Sequence, residues 1–366
     1  MQTEEFFKTI PEQAAPFWDG DKESRLVCCA VREETHDVKS FFFKPKTPSL
    51  FHFQPGQFLT FDFSIGGVTV NRCYTISSTP TKPYLVSITV KRVQGGVVSN
   101  WLHDTMRPGD EVVATAPLGE FSFTQARAEK YLFLSGGSGV TPMMSMTRAQ
   151  FDLAADADIV FMHHARTPRD IIFQAELEMI ARSSTKFRFV PVCEADAPLM
   201  FWGGYRGRIN AEMLNVAVPD FKEREIFVCG PSPYMRAVKA MLQQLNFDMA
   251  HHHEESFNFA EEEFKKPLLA AEADPAVPAA SFKANFSKSG QEVDCPVDMT
   301  LLEAARTGGM RLPASCRKGL CGTCKSKLVS GKVDMTHQGG IRQREIDQGL
   351  ILLCCSRPLT DVVIER

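Results

Sequence analysis

Four cysteines constrain this chain more than any other feature. Cys316, Cys321 and Cys324 stand as C-x4-C-x2-C, and 29 residues separate Cys324 from the fourth, Cys354. This spacing carries plant-type [2Fe–2S] centres. Four thiolates must converge on two irons, and a tight loop containing Gly319 and Gly322 lets three of them come from one stretch, with backbone N–H groups turned toward sulfur. The fourth is expected from the strand-like segment Leu350–Cys354. Zinc also accepts four thiolates, but zinc ribbons usually present two C-x2-C hairpins, and this chain has one C-x2-C. The four are therefore read as the metal ligands of an iron–sulfur cluster, with the neighbouring Cys355 as the alternative for the fourth.

Such a centre needs reduced thiols, and the rest of the chain agrees. The Met1 start carries two Glu in its first five residues and no apolar stretch of signal type. No apolar run approaches the ~20 residues of a membrane span. A cytoplasmic location is expected, with no membrane partner. The 41 basic and 44 acidic side chains leave a net charge of −3, which gives no reason to expect nucleic acid as a partner. The seven other cysteines (Cys28, Cys29, Cys73, Cys193, Cys229, Cys295, Cys355) lie outside that ligand set, and small core filler is their default reading.

At 366 residues the chain suggests two or three domains. Residues 1–24 show no clear period and read as an N-terminal extension. Residues 25–125 alternate short β-branched and aromatic runs (Ser40–Phe43, Gln57–Phe63, Tyr84–Val93, Glu111–Ala114) with Pro/Gly turns, which predicts an antiparallel β-barrel or sandwich. Residues 126–259 change texture. Tyr131–Leu134, Asp158–Met162, Phe187–Val192 and Glu225–Cys229 are short apolar runs separated by helix-length intervals, the pattern of an α/β parallel sheet. Residues 260–280, rich in Ala, Glu and Pro, read as a linker. Residues 281–366 are a third small domain holding the four ligands, with 13 Lys/Arg against 9 Asp/Glu.

Four further motifs occur in order. Arg72-Cys73-Tyr74-Thr75 leads into Ser77–Pro80; Gly95–Ser99 follows; Ser135–Pro142 lies between the Tyr131 strand and a predicted helix, and Cys229-Gly230-Pro231 ends the fourth apolar run. A Gly-rich turn into a helix can seat a dinucleotide pyrophosphate on backbone N–H groups, although this one is not G-x-G-x-x-G. On these residues the chain resembles the ferredoxin–NADP reductase superfamily.

The resemblance implies specific roles. Arg72 would pair with a flavin phosphate, Tyr74 lie beside the isoalloxazine, and Thr75 place its hydroxyl near flavin N5. Gly96, Val97 and Ser99 would hold the pyrophosphate of FAD, a role that FMN-using relatives leave open. Gly137, Gly139, Thr141 and Pro142 would form the nicotinamide-nucleotide loop. Cys229, with Gly230 and Pro231, would lie beside the nicotinamide, and Glu255, at the end of this domain, would approach the flavin. Thr75 and Cys229 are the catalytic candidates. The terminal domain resembles a β-grasp α+β ferredoxin, in which a proline follows the fourth ligand by four residues; Pro358 does so after Cys354. Arg166 and Arg169 could hold a 2′-phosphate or be solvated surface charges; NADH is what the resemblance implies, with NADPH left open. His163-His164, adjacent on a strand, point to opposite faces and cannot chelate together, and the His251–His253 run is not read as a metal site.

The order of modules implies an NAD(P)H-dependent oxidoreductase, since a flavin reconciles a two-electron donor with a one-electron cluster. Tyr74–Pro80, Gly139–Met146 and Cys229–Met235 resemble two groups within the superfamily. These are the reductase components of Rieske-type monooxygenases acting on quaternary ammonium compounds such as glycine betaine, and the NADH oxidoreductases of hybrid-cluster proteins. The N-terminal extension and the His252–Phe257 segment tilt the reading to the first. A terminal oxygenase of Rieske type is thus the expected acceptor, and a hybrid-cluster protein the alternative. A reading of another class is a flavin-less redox-sensing or electron-carrier ferredoxin protein.

Overall fold

The computed structural model describes residues 15–20, 24–257 and 281–366, apart from 311, 313, 315–318, 320, 321, 323, 338–340 and 342. The proposed linker therefore lies outside the described residues, as do Cys316 and Cys321. The chain divides into two compact units, Met1–Glu255 and Ser256–Arg366. Among the described residues no helix is long and apolar enough to cross a membrane.

The first unit opens with six strands, β1 (Arg25–Thr35), β2 (Val38–Pro45), β3 (Phe58–Ile65), β4 (Val68–Thr75), β5 (Val86–Lys91) and β6 (Glu111–Ala114). They pair antiparallel in the order β4-β3-β6-β1-β2-β5. Just beyond β4, Ile76 bridges Ile88 of β5, so the two edge strands meet and the barrel closes. Inward positions carry Phe41, Phe43, Phe61 and Phe63, all nearly inaccessible, which is why the alternation was readable. Helix α1 (Val97–Thr105) follows β5. Gly95-Gly96 therefore leads into a helix and is not a tight hairpin turn between strands.

The N-terminal extension is partly built into this barrel. Trp18 donates its backbone N–H to the Leu50 carbonyl while the Leu50 N–H donates to the Pro16 carbonyl, and the Trp18 ring packs 5.2 Å from Phe51 and joins the barrel core at 7 % exposure.

The second sheet takes β7 (Lys130–Gly136), β8 (Asp158–Ala165), β9 (Phe187–Cys193), β10 (Tyr205–Arg206), β11 (Glu225–Gly230) and β12 (His252–Ser256), ordered β10-β9-β8-β7-β11-β12. The pairs from β10 through to β11 are parallel. Helices α2 (Val140–Asp152), α3 (Gln174–Ser183), α4 (Ala211–Ala217) and α5 (Ser232–Gln244) supply the crossovers. Both faces of β7 and β8 are covered, hence their unbroken apolar runs. Chain order reverses between β7 and β11, so a crevice opens at their carboxyl ends, the usual ligand position in such sheets.

The second unit is a mixed five-stranded sheet ordered β14-β13-β19-β15-β17, with β13 (Ser281–Phe286), β14 (Gln291–Pro296), β15 (Lys325–Ser330), β17 (Leu350–Leu352) and β19 (Val362–Glu365). A separate pair joins β16 (Val333–Met335) to β18 (Ser356–Pro358). Helix α6 (Leu301–Thr307) starts on a Thr300/Glu303 capping box and buries Leu301, Leu302, Ala304 and Ala305 in this core. Antiparallel barrel, parallel α/β sheet and β-grasp ferredoxin are the three architectures expected from sequence. Trp18→Ala should lower stability to urea by about 3 kcal/mol, read by far-ultraviolet circular dichroism, because a buried indole is removed from the barrel core.

Candidate functional site

Arg72, Tyr74 and Thr75 occupy the last turn of strand before the barrel closes. Alternation puts Arg72 and Tyr74 on one face of β4 and Thr75 on the other, where it is buried opposite Phe58. Tyr74 packs 6.2 Å from Phe61 and 6.3 Å from Phe63, and Trp101 of α1 lies 5.7 Å from Phe63. Arg72 donates to the carbonyl of Asn71 at 2.8 Å and, among the described residues, forms no ion pair. A half-buried guanidinium without a carboxylate suits an anionic ligand. Cys73 meets Thr60 at 3.2 Å inside the barrel, a packing role.

The helix α1 N-terminus is the second part of this site. Its cap, Gly96, offers no side-chain acceptor, and no acidic residue stands in the first turn, so the leading N–H groups are left for a ligand. Ser99 is buried and accepts the N–H of Val93 at 3.2 Å, which leaves its own O–H to donate. Val97 is exposed and contributes backbone alone. Among the described residues, an arginine without an ion pair and a helix N-terminus without a side-chain cap are both features an anionic ligand can use.

At the crevice of the parallel sheet, backbone meets backbone. A Cβ on Gly139 would lie 2.2 Å from the carbonyl oxygen of Cys229, whereas Gly137, at φ +52°, opens onto free space. Thr141 bonds to the Ser138 carbonyl at 3.1 Å and is buried with Pro142, so these two shape the turn from beneath. Cys229 pairs in register with Ser135 and is fully buried; burial first, and the Glu255 carboxylate next, push its thiol well above the ordinary range. It is a neutral, small side chain, not a thiolate. Pro231 is exposed at the head of α5, and Gly230 sits so close to Tyr234 that a Cβ would lie 2.9 Å from the ring.

Sequence reasoning passed over several residues here. Tyr234 covers Gly136 and Gly230, and its hydroxyl meets His164 Nδ1 at 3.1 Å with the rings 5.1 Å apart. His163, on the opposite face, bonds to Ser135 Oγ at 2.7 Å. Burial depresses His163 to about 3 and His164 to about 4, so both are neutral near pH 7. Tyr234 follows Cys229 by five residues on the first turns of a helix, which is the signal that could have found it. Beyond the carboxyl end of β8 a cavity of about 620 Å³ is lined by His36, Arg166, Thr167, Arg169, Asp170, Ala197 and Pro198. Arg166 is held by Asp37 at 3.1 Å and Asp170 at 2.9 Å, and Asp37 also pairs with Lys91.

The His251–His253 run has a structural use. His251 and His253 each bond to Glu225 at 2.6 Å, and His253 stacks 4.7 Å from Phe227, which fastens β12 to β11. That strand carries Glu255.

In the second unit, Cys324 and Cys354 are buried and the Cys354 N–H donates to Cys324 Sγ at 3.4 Å, an N–H to sulfur contact of the kind that favours a thiolate ligand. Cys354 lies in a one-turn 3-10 segment, Leu353–Cys355, immediately after β17. A Cβ on Gly319 would meet Cys355 Sγ at 2.8 Å, so Gly319 lies against this turn. Cys316 and Cys321 lie outside the described residues.

The comparisons agree with this geometry. Residues 27–123 match an oxidoreductase FAD-binding domain, 133–240 an oxidoreductase NAD-binding domain and 285–359 a 2Fe-2S iron-sulfur cluster binding domain. A glycine betaine monooxygenase reductase subunit from Chromohalobacter salexigens is 45 % identical over 99 % of this chain and 100 % of its own. The NADH oxidoreductase HCR of Escherichia coli is 33 % identical over 80 % of this chain and 83 % of its own. A solved phthalate dioxygenase reductase shares the fold at TM-score 0.59 and 23 % identity, covering 95 % of this chain and 100 % of that one. The fold and its three modules define an NAD(P)H-dependent oxidoreductase with FAD-binding, NAD-binding and [2Fe-2S] domains. More particularly, the chain belongs to the reductase family that includes the glycine betaine monooxygenase reductase subunits.

The histidine clamp gives a pH dependence of known sign. Glu225 raises the His251 pKa, so the pair stabilises the fold fully below the unfolded value of about 6.5 and loses this contribution as pH rises through the raised folded value. His251 is exposed and screened, so the effect is small. Between about pH 6 and pH 9, Tm should fall by about 1 °C more in the native chain than in Glu225→Gln, by differential scanning fluorimetry.

Proposed function

We propose that this chain is the reductase component of a Rieske-type monooxygenase acting on a quaternary ammonium substrate such as glycine betaine. Its electrons would come from NADH and leave through a [2Fe–2S] cluster. The observation that carries this reading is the end-to-end likeness to a glycine betaine monooxygenase reductase subunit, which includes the extension before the barrel and the segment before the linker. When bound, the flavin supplies conversion between two-electron and one-electron chemistry.

The residues have separate tasks in this reading. Arg72 neutralises the flavin phosphate, while Gly96, Val97 and Ser99 present N–H groups and a hydroxyl to the diphosphate. Tyr74 flanks the ring and Thr75 offers a hydroxyl at its edge. Gly137, Gly139, Thr141 and Pro142 turn the chain so that the nucleotide rests on the first turn of α2. Cys229, neutral and small, leaves room for a planar ring above Gly230 and Pro231, and Glu255 supplies the carboxylate nearest that thiol. Cys316, Cys321, Cys324 and Cys354 hold the cluster.

The 620 Å³ cavity bears on nucleotide choice. Arg166 is already held by Asp37 and Asp170, and Arg169 donates to the Pro198 carbonyl, so both arginines of the cavity already have protein partners in place of a 2′-phosphate. NADH is the favoured donor.

The purified chain should reduce ferricyanide or cytochrome c with NADH faster than with NADPH, and should support demethylation of glycine betaine only when the oxygenase is added. A second reading, reductase of a hybrid-cluster protein, rests on the likeness to the Escherichia coli enzyme. NADH consumption stimulated by a hybrid-cluster protein but not by the oxygenase would decide for it. A flavin-less electron carrier is disfavoured by the unpaired Arg72 and the uncapped α1, and an absorbance spectrum without a flavin band would revive it. The ligand assignment is separately testable: Cys354→Ser should abolish the reduced-cluster paramagnetic resonance signal, whereas Cys355→Ser should retain it.

A further inference from the structure

The helix that begins at the nucleotide loop also runs along the chain that leaves the flavin motif. Three residues on one side of α2, at spacings of three and four, bond to the segment Ser77–Lys82. Ser145 Oγ donates to the Ser78 carbonyl at 2.6 Å, Arg148 Nη1 donates to the Ser77 carbonyl, and Asp152 accepts Thr81 Oγ1 and, at 3.1 Å, Lys82 Nζ. Ser77 stands two residues after Thr75, and α2 starts one residue after Gly139. One rigid element thus spans both cofactor-binding motifs.

Arg148 is the centre of this seam. Its Nε and Nη2 grip both oxygens of Glu176 at 2.7 and 2.6 Å, and its guanidinium lies 4.8 Å above the ring of Phe173. Phe173 precedes α3 with φ +60°, a left-handed conformation that a bulky residue seldom adopts, so the surrounding structure holds it there. The Arg148 side chain is 14 % exposed. The planar fork is what this position uses: two N–H donors on a carboxylate, one on a carbonyl, and one face on an aromatic ring.

We propose that Arg148 is a positioning residue for hydride transfer: by tying α2 to the exit of the flavin strand it fixes the nicotinamide against the flavin. The inference rests on the cofactor placement given above. Loss of the fork leaves Arg72 and the α1 N-terminus to bind flavin and the Gly137–Gly139 loop to bind nucleotide, but relaxes their mutual placement, and a displacement of about 1 Å costs up to a hundredfold in rate.

The test uses the full chain with its flavin and cluster, comparing native, Arg148→Met and Arg148→Lys in anaerobic stopped flow. Arg148→Met should lower the limiting rate of flavin bleaching by NADH on the order of ten- to a hundredfold. Flavin content and the half-saturating NADH concentration should stay within about twofold, and the isotope effect with NADH deuterated at the transferred position should rise. Arg148→Lys, which keeps the charge without the fork, should fall between. A role in stability alone would lower flavin content without slowing the loaded molecules. A limiting rate and isotope effect equal to native in flavin-loaded Arg148→Met overturn the inference while leaving the cofactor placement standing; a native chain that NADH does not bleach overturns both. If Arg148→Met does not fold with flavin, Ser145→Ala combined with Arg148→Lys decides: a slowed limiting rate supports the seam, an unchanged one sinks it.

Discussion

Everything at the nucleotide end of the first unit depends on one close approach of two backbones. The loop after β7 reaches the end of β11 so nearly that Gly139 faces the Cys229 carbonyl with no room for a Cβ, and Gly230 is similarly confined by Tyr234. Hydrogen-bonded strand ends fix this contact, and side chains would break it. Because the two turns touch, the first turn of α2 stands against the end of β11, where Cys229 is buried in register with Ser135.

Burial then keeps three titratable groups of this end neutral. Two histidines that could carry charge near pH 7 are buried and held below it, and the adjacent thiol is held above it. The Glu255 carboxylate is a charged neighbour of that thiol, and the Asp37–Arg166–Asp170 group stands at the far cavity.

Much of this was legible because it is local. The cysteine spacing, the Gly-rich turn after Tyr131–Leu134 and the alternating barrel strands each encode their geometry within a dozen residues or so, and the three architectures followed from them. The Gly95–Ser99 segment was legible as a phosphate-binding stretch but not as a helix start, since paired glycines signal a turn as readily as a cap. Trp18 looked like part of a featureless extension because its partner, Phe51, lies across a strand it does not adjoin in sequence. Tyr234 with His164, Arg148 with Ser77 and Arg166 with Asp37 were illegible for the same reason. Each pairs residues 70 or more positions apart, and no period in either segment announces the other.

The seam between α2 and Ser77–Lys82 also bears on how such reductases are inherited. A barrel exchanged alone would arrive with a foreign loop opposite Ser145, Arg148 and Asp152, and its flavin strand would end against a helix shaped for another partner. Barrel and nucleotide sheet are therefore a single unit of recombination, even though each has a complete core of its own. Shuffling between lineages is expected to cut before the barrel or after β12, and seldom between the two sheets.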